Sequence, residues 1–189
     1  MTIDDLSPTV TAGMNTTMTF LRNEEFLVRF ETPMDPTLDT AAFYVAPHWH
    51  PTHDEIFRVI KGRMQVTIGS TTLTYAPEDG EVCVPKGTVH SIQTFKGEHL
   101  IFEERTEPMD DIKEVFFRNL PPLDGGIPTN FSEAMQIALA AYHGDVRPVL
   151  PLHIFWLENL FIAIAGAFWR RCLAGGGSIP ASRRQIEVK

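Results

Sequence analysis

The stretch His48-Trp49-His50-Pro51-Thr52-His53-Asp54-Glu55 decides the fold and also points to a chemistry. Two imidazoles lie two residues apart, and a carboxylate follows five residues after the second. In a β-strand, residues i and i+2 point to the same face, so His48 and His50 can converge on one point. Imidazoles and carboxylates are common ligands of divalent transition metals. The stretch therefore predicts a metal site on a strand.

A second segment, Pro85-Lys86-Gly87-Thr88-Val89-His90, places a further imidazole one hairpin downstream. The interval from Gly62 to Pro85 is long enough for a hairpin and its return, which would deliver His90 from an adjacent strand. The predicted metal ligands are His48, His50, Glu55 and His90. They would hold one divalent ion (Fe, Mn, Ni, Zn or Cu) and leave one or two positions open for a substrate or O2. We expect His53, which lies between the ligands in a turn, at the surface.

The composition limits the classes of partner and compartment. With 16 Lys and Arg against 24 Asp and Glu, the net charge is −8, so nucleic acid is not expected as a partner. The N-terminal residues lack the basic and then apolar order of a signal peptide. The two cysteines, Cys83 and Cys172, fit no paired motif and are expected to be buried thiols in a reducing compartment. These features predict a cytoplasmic protein.

Short β-type runs alternate with turn residues from Phe26 to about Ile101, and this pattern is typical of a sandwich or barrel. We therefore predict an all-β architecture, with residues 1–107 as a barrel that includes N-terminal strands. After Pro108, apolar residues at helical spacing predict helices over Asp110–Leu120 and from Asn130 or Ser132 to about Tyr142. Residues 108–174 are predicted to form a helical extension packed on the barrel, and residues 175–189 a flexible tail.

The apolar stretch Val149–Trp169 is close to the roughly 20 residues that a membrane span requires. It contains Pro151, His153, Glu158 and Asn159, however, and an ionised group at mid-bilayer costs at least about 3 kcal/mol. We therefore predict a helix that packs on the barrel or against a second copy. Contact of residues 149–171 with a membrane surface is a less favoured alternative.

The segments quoted above match the pattern of a known family: the chain resembles the cupin superfamily of small β-barrels. The first segment reads His48-x-His50-x4-Glu55-x6-Gly62 without departure from the family spacing. The second reads Gly80-x4-Pro85-x-Gly87-x2-His90, one residue shorter than usual between Gly and Pro, with Thr94 where many members have Asn. Neither departure touches the proposed ligands.

The resemblance covers roughly Phe26 to Glu104 and leaves the C-terminal helices outside the motif. It implies a cupin-type double-stranded β-helix, or jelly-roll, barrel with appended C-terminal α-helices. Members of the family often dimerise by sheet-on-sheet contact, and exposed aromatics such as Trp49 and Phe95 would favour a homodimer of that kind.

A barrel of this size can enclose one small ligand. Side chains that share the parity of the metal ligands should line the cavity: Tyr44 and Ala46, Phe57 and Val59, and Ile92 and Thr94. Parity alone does not decide which face of the strand Ile101–Arg105 looks inward, so Glu103 could contact a substrate or form an ion pair at the strand edge. The candidate substrate-binding residues are Tyr44, Phe57, Ile92, Thr94 and Glu103.

An aromatic and aliphatic wall favours a small, largely apolar substrate, aromatic or polyketide-like, as in secondary metabolism. The expected activity is metal-dependent lyase, isomerase or cyclase chemistry, or O2-dependent oxidation, with His50, Glu55 and His90 as catalytic residues. The helix 149–169 could then serve as a lid that excludes water. The alternatives are a ligand-binding barrel without chemistry, and a metal-free barrel in which the same side chains act as acid and base.

Overall fold

The computed structural model describes residues 5–12, 15–34, 43–121 and 128–174, so the predicted tail at 175–189 lies outside the described residues. The strands are β1 (Thr9–Thr11), β2 (Thr17–Phe20), β3 (Val28–Thr32), β4 (Tyr44–Trp49), β5 (Asp54–Lys61), β6 (Met64–Ile68), β7 (Thr71–Tyr75), β8 (Glu81–Val84), β9 (His90–Thr94), β10 (Leu100–Glu107) and β11 (Arg147–Pro148). The helices are α1 (Ile112–Asn119), α2 (Phe131–His143) and α3 (Phe155–Ala174).

The strands form two antiparallel sheets. One is six-stranded, in the order β1-β2-β3-β10-β5-β8, and the other is five-stranded, in the order β11-β4-β9-β6-β7. Both sheets contain neighbours from distant parts of the chain, such as β3 with β10 and β4 with β9, as a jelly-roll requires. The predicted all-β jelly-roll barrel with C-terminal helices is confirmed.

The core lies between the inner faces of the two sheets and is rich in phenylalanine. Strand β3 alternates buried and exposed residues, as a strand with one covered face does. Phe102 of β10 stands between Phe30 of β3 and Val59 of β5 in the ladder, and its ring stacks on Phe30 at 4.6 Å. The inner residues of β5 are those that share the parity of Glu55, namely Phe57 and Val59, as predicted.

Gly62 is required by the close approach of the chain at the β5–β6 turn. Its φ is +79°, and a Cβ there would lie 2.2 Å from the backbone oxygen of His99. Gly97 has a similar φ of +70° but open space around its Cβ position.

We expect Gly62→Ala to destabilise the fold more than Gly97→Ala does. The left-handed backbone costs an alanine about 1–3 kcal/mol at either position, whereas the clash with His99 adds a further 1–3 kcal/mol, roughly, only at Gly62. Urea denaturation of both variants measures the difference. Equal losses of unfolding free energy would show that the approach to His99 imposes no constraint.

The helical extension contributes to the barrel itself. The Asn130 side chain accepts a hydrogen bond from the backbone N–H of Glu133 at 3.0 Å, so Asn130 is the N-cap of α2, one of the two caps predicted. Helix α1 places Phe117 edge-on against Phe30 at 5.3 Å, with the helix packed on the core from outside the matched motif. Residues 108–121 are thus part of the packed structure.

Two sequence predictions need correction. Helix α3 begins at Phe155 and not at Val149, because Pro148 and Pro151 lack the N–H that a helix interior needs and Arg147–Pro148 instead pairs with β4. Cys83 is exposed and not buried, because on β8 it alternates with the inward-facing Val82 and Val84. The side chain of Cys172 lies outside those described.

The apolar stretch that includes most of α3 was weighed above as a membrane span. Among the described residues, no helix has the length and hydropathy to cross a bilayer.

Candidate metal centre

The structure brings together all four predicted ligands. His48, His50, Glu55 and His90 are all buried. One ligand atom from each lies within 4.8 Å of the others. Three nitrogens and one oxygen at this separation form a donor set that suits a divalent transition metal.

Both sheets contribute to the cluster. His48 stands opposite His90 in the pairing of β4 with β9, and their ring centroids are 4.2 Å apart. His50 follows directly after β4, where its carbonyl accepts a hydrogen bond from Gly87 N at 2.8 Å. Glu55 comes from β5 of the other sheet. The cluster therefore joins the two sheets.

Each of the three imidazoles is oriented by a backbone carbonyl. The Nδ1–H of His48 donates to Ala46 O at 2.9 Å, that of His50 to Asp145 O at 2.8 Å, and that of His90 to Thr88 O at 3.1 Å. A carbonyl can only accept, so all three rings carry their proton on Nδ1 and leave Nε2 with a free lone pair. This outer hydrogen bonding is typical of histidines that bind a metal.

The four side chains present acceptor atoms to one another, an arrangement that a bound cation would stabilise. The Nε2 of His50 is buried without a hydrogen-bond partner, and it lies 3.3 Å from Glu55 Oε1, a second acceptor. The Nε2 of His90 lies 2.6 Å from Glu55 Oε2. Two facing acceptors are stabilised only by a proton or a cation between them, so the donor set calls for a positive charge at its centre.

The protonation states favour ligation. Burial, followed by the charge of His90, holds the pKa of His48 well below its usual value. Burial, followed by the Lys113 ammonium, lowers the pKa of His50. Both rings are therefore neutral at physiological pH, which is the form that binds a metal.

Lys113 of α1 is a site residue that the sequence analysis missed. Its Nζ lies 2.7 Å from Glu55 Oε1 and 3.5 Å from Glu104 Oε1, and all three side chains are buried. Burial opposes ionisation of Glu55, but the Lys113 ammonium together with the interactions of His50 and His90 outweighs it and holds the pKa of that carboxyl well below its usual range. Burial, followed by the charge of Glu55, raises the pKa of Glu104 well above its usual range. The lysine thus keeps Glu55 an anion.

Asp145, in the turn after α2, was also missed. Besides holding His50 through its carbonyl, it accepts hydrogen bonds at Oδ2 from Thr52 N at 3.0 Å and from His53 Nδ1 at 2.7 Å. Its φ of +56° is a left-handed conformation. The prediction that His53 is exposed is wrong: its ring is buried between Asp145 and Asp110. The helical extension therefore supports the cluster from two sides.

Three of the predicted substrate-binding residues share the inner face with the ligands. Phe57 is fully buried, with its ring centroid 6.3 Å from that of His90. Ile92 belongs to the main core. Thr94 also faces inward, but its hydroxyl already bonds the backbone of Phe43, accepting from N at 3.0 Å and donating to O at 3.3 Å.

The other two candidates are not brought to the cluster. Tyr44 pairs with Gln93 and not with the inner-facing Ile92, because the register shifts between Val45 and His48, where Pro47 cannot donate to the ladder. The predicted inward parity of Tyr44 and Ala46 is therefore reversed. Glu103 lies on the outer face of β10, in ion pairs with Arg29 and Arg58 at 2.6 Å each. Glu104 is the carboxylate on the inner face.

Comparison with known proteins finds a family model that matches the segment carrying this site. Residues 37–101 match the family model described as a cupin domain. A search of curated proteins finds no match. Among solved structures, the chain is similar to the cupin domain of Schizosaccharomyces pombe Cnp3, with 23% identity over 51% of this chain and 67% of that one, at a TM-score of 0.39.

Two further solved structures show a similar extent of likeness. KdgF from Halomonas sp. is 16% identical over 55% of this chain and 89% of that one, at a TM-score of 0.40. An RmlC-like cupin from Shewanella frigidimarina is 17% identical over 55% of this chain and 86% of that one, at a TM-score of 0.40. The matched segment, residues 37–101, contains all four clustered side chains, so the part of the chain that matches the cupin-domain model is the part that forms the site.

Proposed function

We propose that the protein is a metal-dependent cupin enzyme that acts on a small, largely apolar organic molecule, aromatic or polyketide-like, as in secondary metabolism. The observation that carries the proposal is the set of three imidazoles, each oriented through Nδ1–H by a backbone carbonyl, around the ionised Glu55. A divalent ion held there would polarise a substrate carbonyl or enolate, for lyase, isomerase or cyclase chemistry, or would support O2-dependent oxidation.

The residues of the chain supply the rest of the site. Lys113 fixes one oxygen of Glu55 and holds its negative charge in place. Phe57 and Ile92 give the inner face near His90 an apolar character, which excludes water and strengthens the electrostatic interactions of the buried groups. An apolar surface beside a cationic centre suits an apolar substrate with one oxygen that can become anionic.

A second candidate function is acid–base catalysis without a metal. It is favoured by the 2.6 Å contact between His90 Nε2 and Glu55 Oε2, which a shared proton would also satisfy. In that case Glu55 and His90 would exchange a proton with the substrate, and Lys113 would set the charge of the pair.

The test combines elemental analysis of the purified protein with a metabolite screen. An extract is incubated with metal-loaded protein, with chelator-stripped protein and with His50→Ala, and the products are compared by mass spectrometry. We expect a product only with the loaded wild-type protein. A product formed equally by stripped protein supports the metal-free alternative, whereas a molecule that is retained unchanged identifies a ligand-binding barrel.

Because Asp145 anchors the turn that holds His50, we expect Asp145→Ala to weaken metal binding about 10–100-fold, the usual loss for an outer partner of a ligand. The substitution removes the acceptor for Thr52 N and His53 and places alanine at φ +56°. Competition with a chromophoric chelator measures the affinity. Asp145→Asn is the matched control, because asparagine tolerates this conformation and keeps an oxygen acceptor. Unchanged affinity in the alanine variant would contradict the anchoring role.

A further inference from the structure

Helix α3 has its acidic residue, Glu158, on the inside. Glu158 is fully buried, and its carboxylate accepts hydrogen bonds from Trp49 Nε1 at 2.7 Å and from Leu150 N at 2.8 Å. Ile162 is buried one turn later. Gly166 follows after another turn, and a Cβ there would lie 2.5 Å from the ring of Tyr142. This inner face packs on α2 and on the end of β4.

The opposite face of α3 is apolar and open to solvent. With 3.6 residues per turn, an arc of about 140° carries five large apolar side chains. They are Trp156 (67% exposed), Leu160 (46%), Phe161 (46%), Ile164 (61%) and Phe168 (54%). We call them the outer face of α3. From Phe155 to Phe168 the sequence has one charged residue, Glu158, and it is on the inner face; Arg171, exposed in the last turn, is the first charged residue within the arc of the outer face.

We propose that the outer face of α3 binds the same face of a second copy of the chain. The three exposed aromatics present on the order of 300 Å², since a whole aromatic side chain covers about 150–250 Å². With the two aliphatic side chains, two copies would bury about 1,000 Å² in total, which is about the lower limit for a biological interface. A two-fold axis places each outer face against its own equivalent, so that the match is self-complementary.

Other occupants fit the outer face less well. A helix that lies on a membrane surface normally carries lysines and arginines along its apolar face, whereas the basic residues of α3, Arg170 and Arg171, both lie in its last turns after Phe168, and the chain has a net charge of −8. Of the two aromatic residues expected at a sheet-on-sheet contact, Phe95 is half-buried and Trp49 is only 5% exposed, because Phe155 packs against its ring at 4.7 Å. The helix therefore covers the part of that predicted contact surface that surrounds Trp49.

The test is the oligomeric state of the full chain by sedimentation velocity over a wide concentration range. We expect wild-type protein at twice the chain mass of 21.3 kDa, and the double variant Trp156→Glu/Ile164→Glu at the monomer mass under the same conditions. Leu73→Glu is the matched control, because Leu73 is 52% exposed on β7 of the five-stranded sheet. That variant should remain dimeric, and circular dichroism confirms that each variant is folded.

A measurement on unmodified protein keeps the inference testable if the double variant fails to fold. Hydrogen exchange of the α3 amides in wild-type protein should slow as the protein concentration rises, while exchange in β5 does not change. A wild-type monomer at all concentrations overturns the inference, as does a dimer that Leu73→Glu disrupts and the α3 variant does not. Flotation of a monomeric wild-type protein with phosphatidylcholine–phosphatidylglycerol vesicles would assign the outer face to a membrane instead. None of these outcomes depends on the metal.

Discussion

Divalent metal is expected to raise the melting temperature of the wild-type protein and to leave that of His48→Ala unchanged. A ligand that binds only the folded state at one hundred times its Kd stabilises that state by about 2.7 kcal/mol. For a chain of this size that corresponds to a rise of roughly 5–10 °C in Tm. Loss of one of four buried ligands should lower the affinity by more than the roughly 10–100-fold that loss of an outer partner costs.

His48 is the most informative ligand to remove. Its lowered pKa keeps it neutral, so the alanine variant leaves no unpaired buried charge. Its hydrogen-bond acceptor, Ala46 O, belongs to an exposed residue that water can reach. His99→Ala is the control, because His99 pairs with Glu31 outside the cluster. Thermal unfolding with and without Zn2+, Mn2+ or Ni2+ gives the result. A full metal-induced rise in His48→Ala would remove His48 from the ligand set.

The ligand set could be predicted from the sequence because its geometry is local. His48 and His50 are related by the two-residue period of a strand, and the glycine-bearing turns between Glu55 and His90 fold back over short distances. The same period correctly placed Phe57 and Val59 on the inner face. It failed for Tyr44, because the irregularity at Pro47 changes the parity within a single strand. A proline inside a predicted strand is the signal that could have warned of this.

The residues that surround the ligands could not be predicted in the same way. His53 is buried by Asp145, 92 residues away in the sequence, and by Asp110, 57 residues away. A local sequence pattern cannot predict contacts between residues so far apart. Lys113 did leave a signal. It lies three and four residues before Phe116 and Phe117, so it shares the helix face that packs on the barrel, and a lysine on a buried face needs a buried carboxylate partner.

The start of α3 shows how backbone chemistry can overrule hydropathy. The apolar run begins at Val149, but Pro148 and Pro151 direct the chain into a short strand and a turn before the helix can begin. Hydropathy also did not show which face of the helix is covered, because both faces are apolar. Only the inward position of Glu158 reveals the orientation of the helix.

Lys113→Met is expected to destabilise the metal-free protein by about 3–5 kcal/mol, the usual effect of removing one partner from a buried ion pair. Methionine fills a similar volume, but Glu55 then remains as a buried carboxylate without its ammonium partner at 2.7 Å. Urea denaturation measures the loss. The double variant Lys113→Met/Glu55→Gln removes both charges, so it should lose less stability than the single variant.

The loss of unfolding free energy in Lys113→Met should also depend on pH, and the direction of that dependence identifies its cause. In the wild-type protein the pKa of Glu55 is lowered, so its contribution to stability is present at neutral pH and is lost as the pH falls through that folded-state pKa. In Lys113→Met, burial is opposed by the interactions of His50 and His90 without the ammonium, so the pKa of Glu55 rises above its value in the wild-type protein. The stabilisation that ionised Glu55 gives at neutral pH is therefore smaller in the variant, and acidification removes less of it.

The difference in stability between wild type and Lys113→Met should therefore be largest at neutral pH and should narrow as the solution is acidified. Added divalent metal should narrow it as well at neutral pH, because a bound cation replaces the missing positive charge beside Glu55. A loss of stability that is independent of both pH and metal would mean that Lys113 acts through its packing against Phe116 and Phe117 and not through its charge.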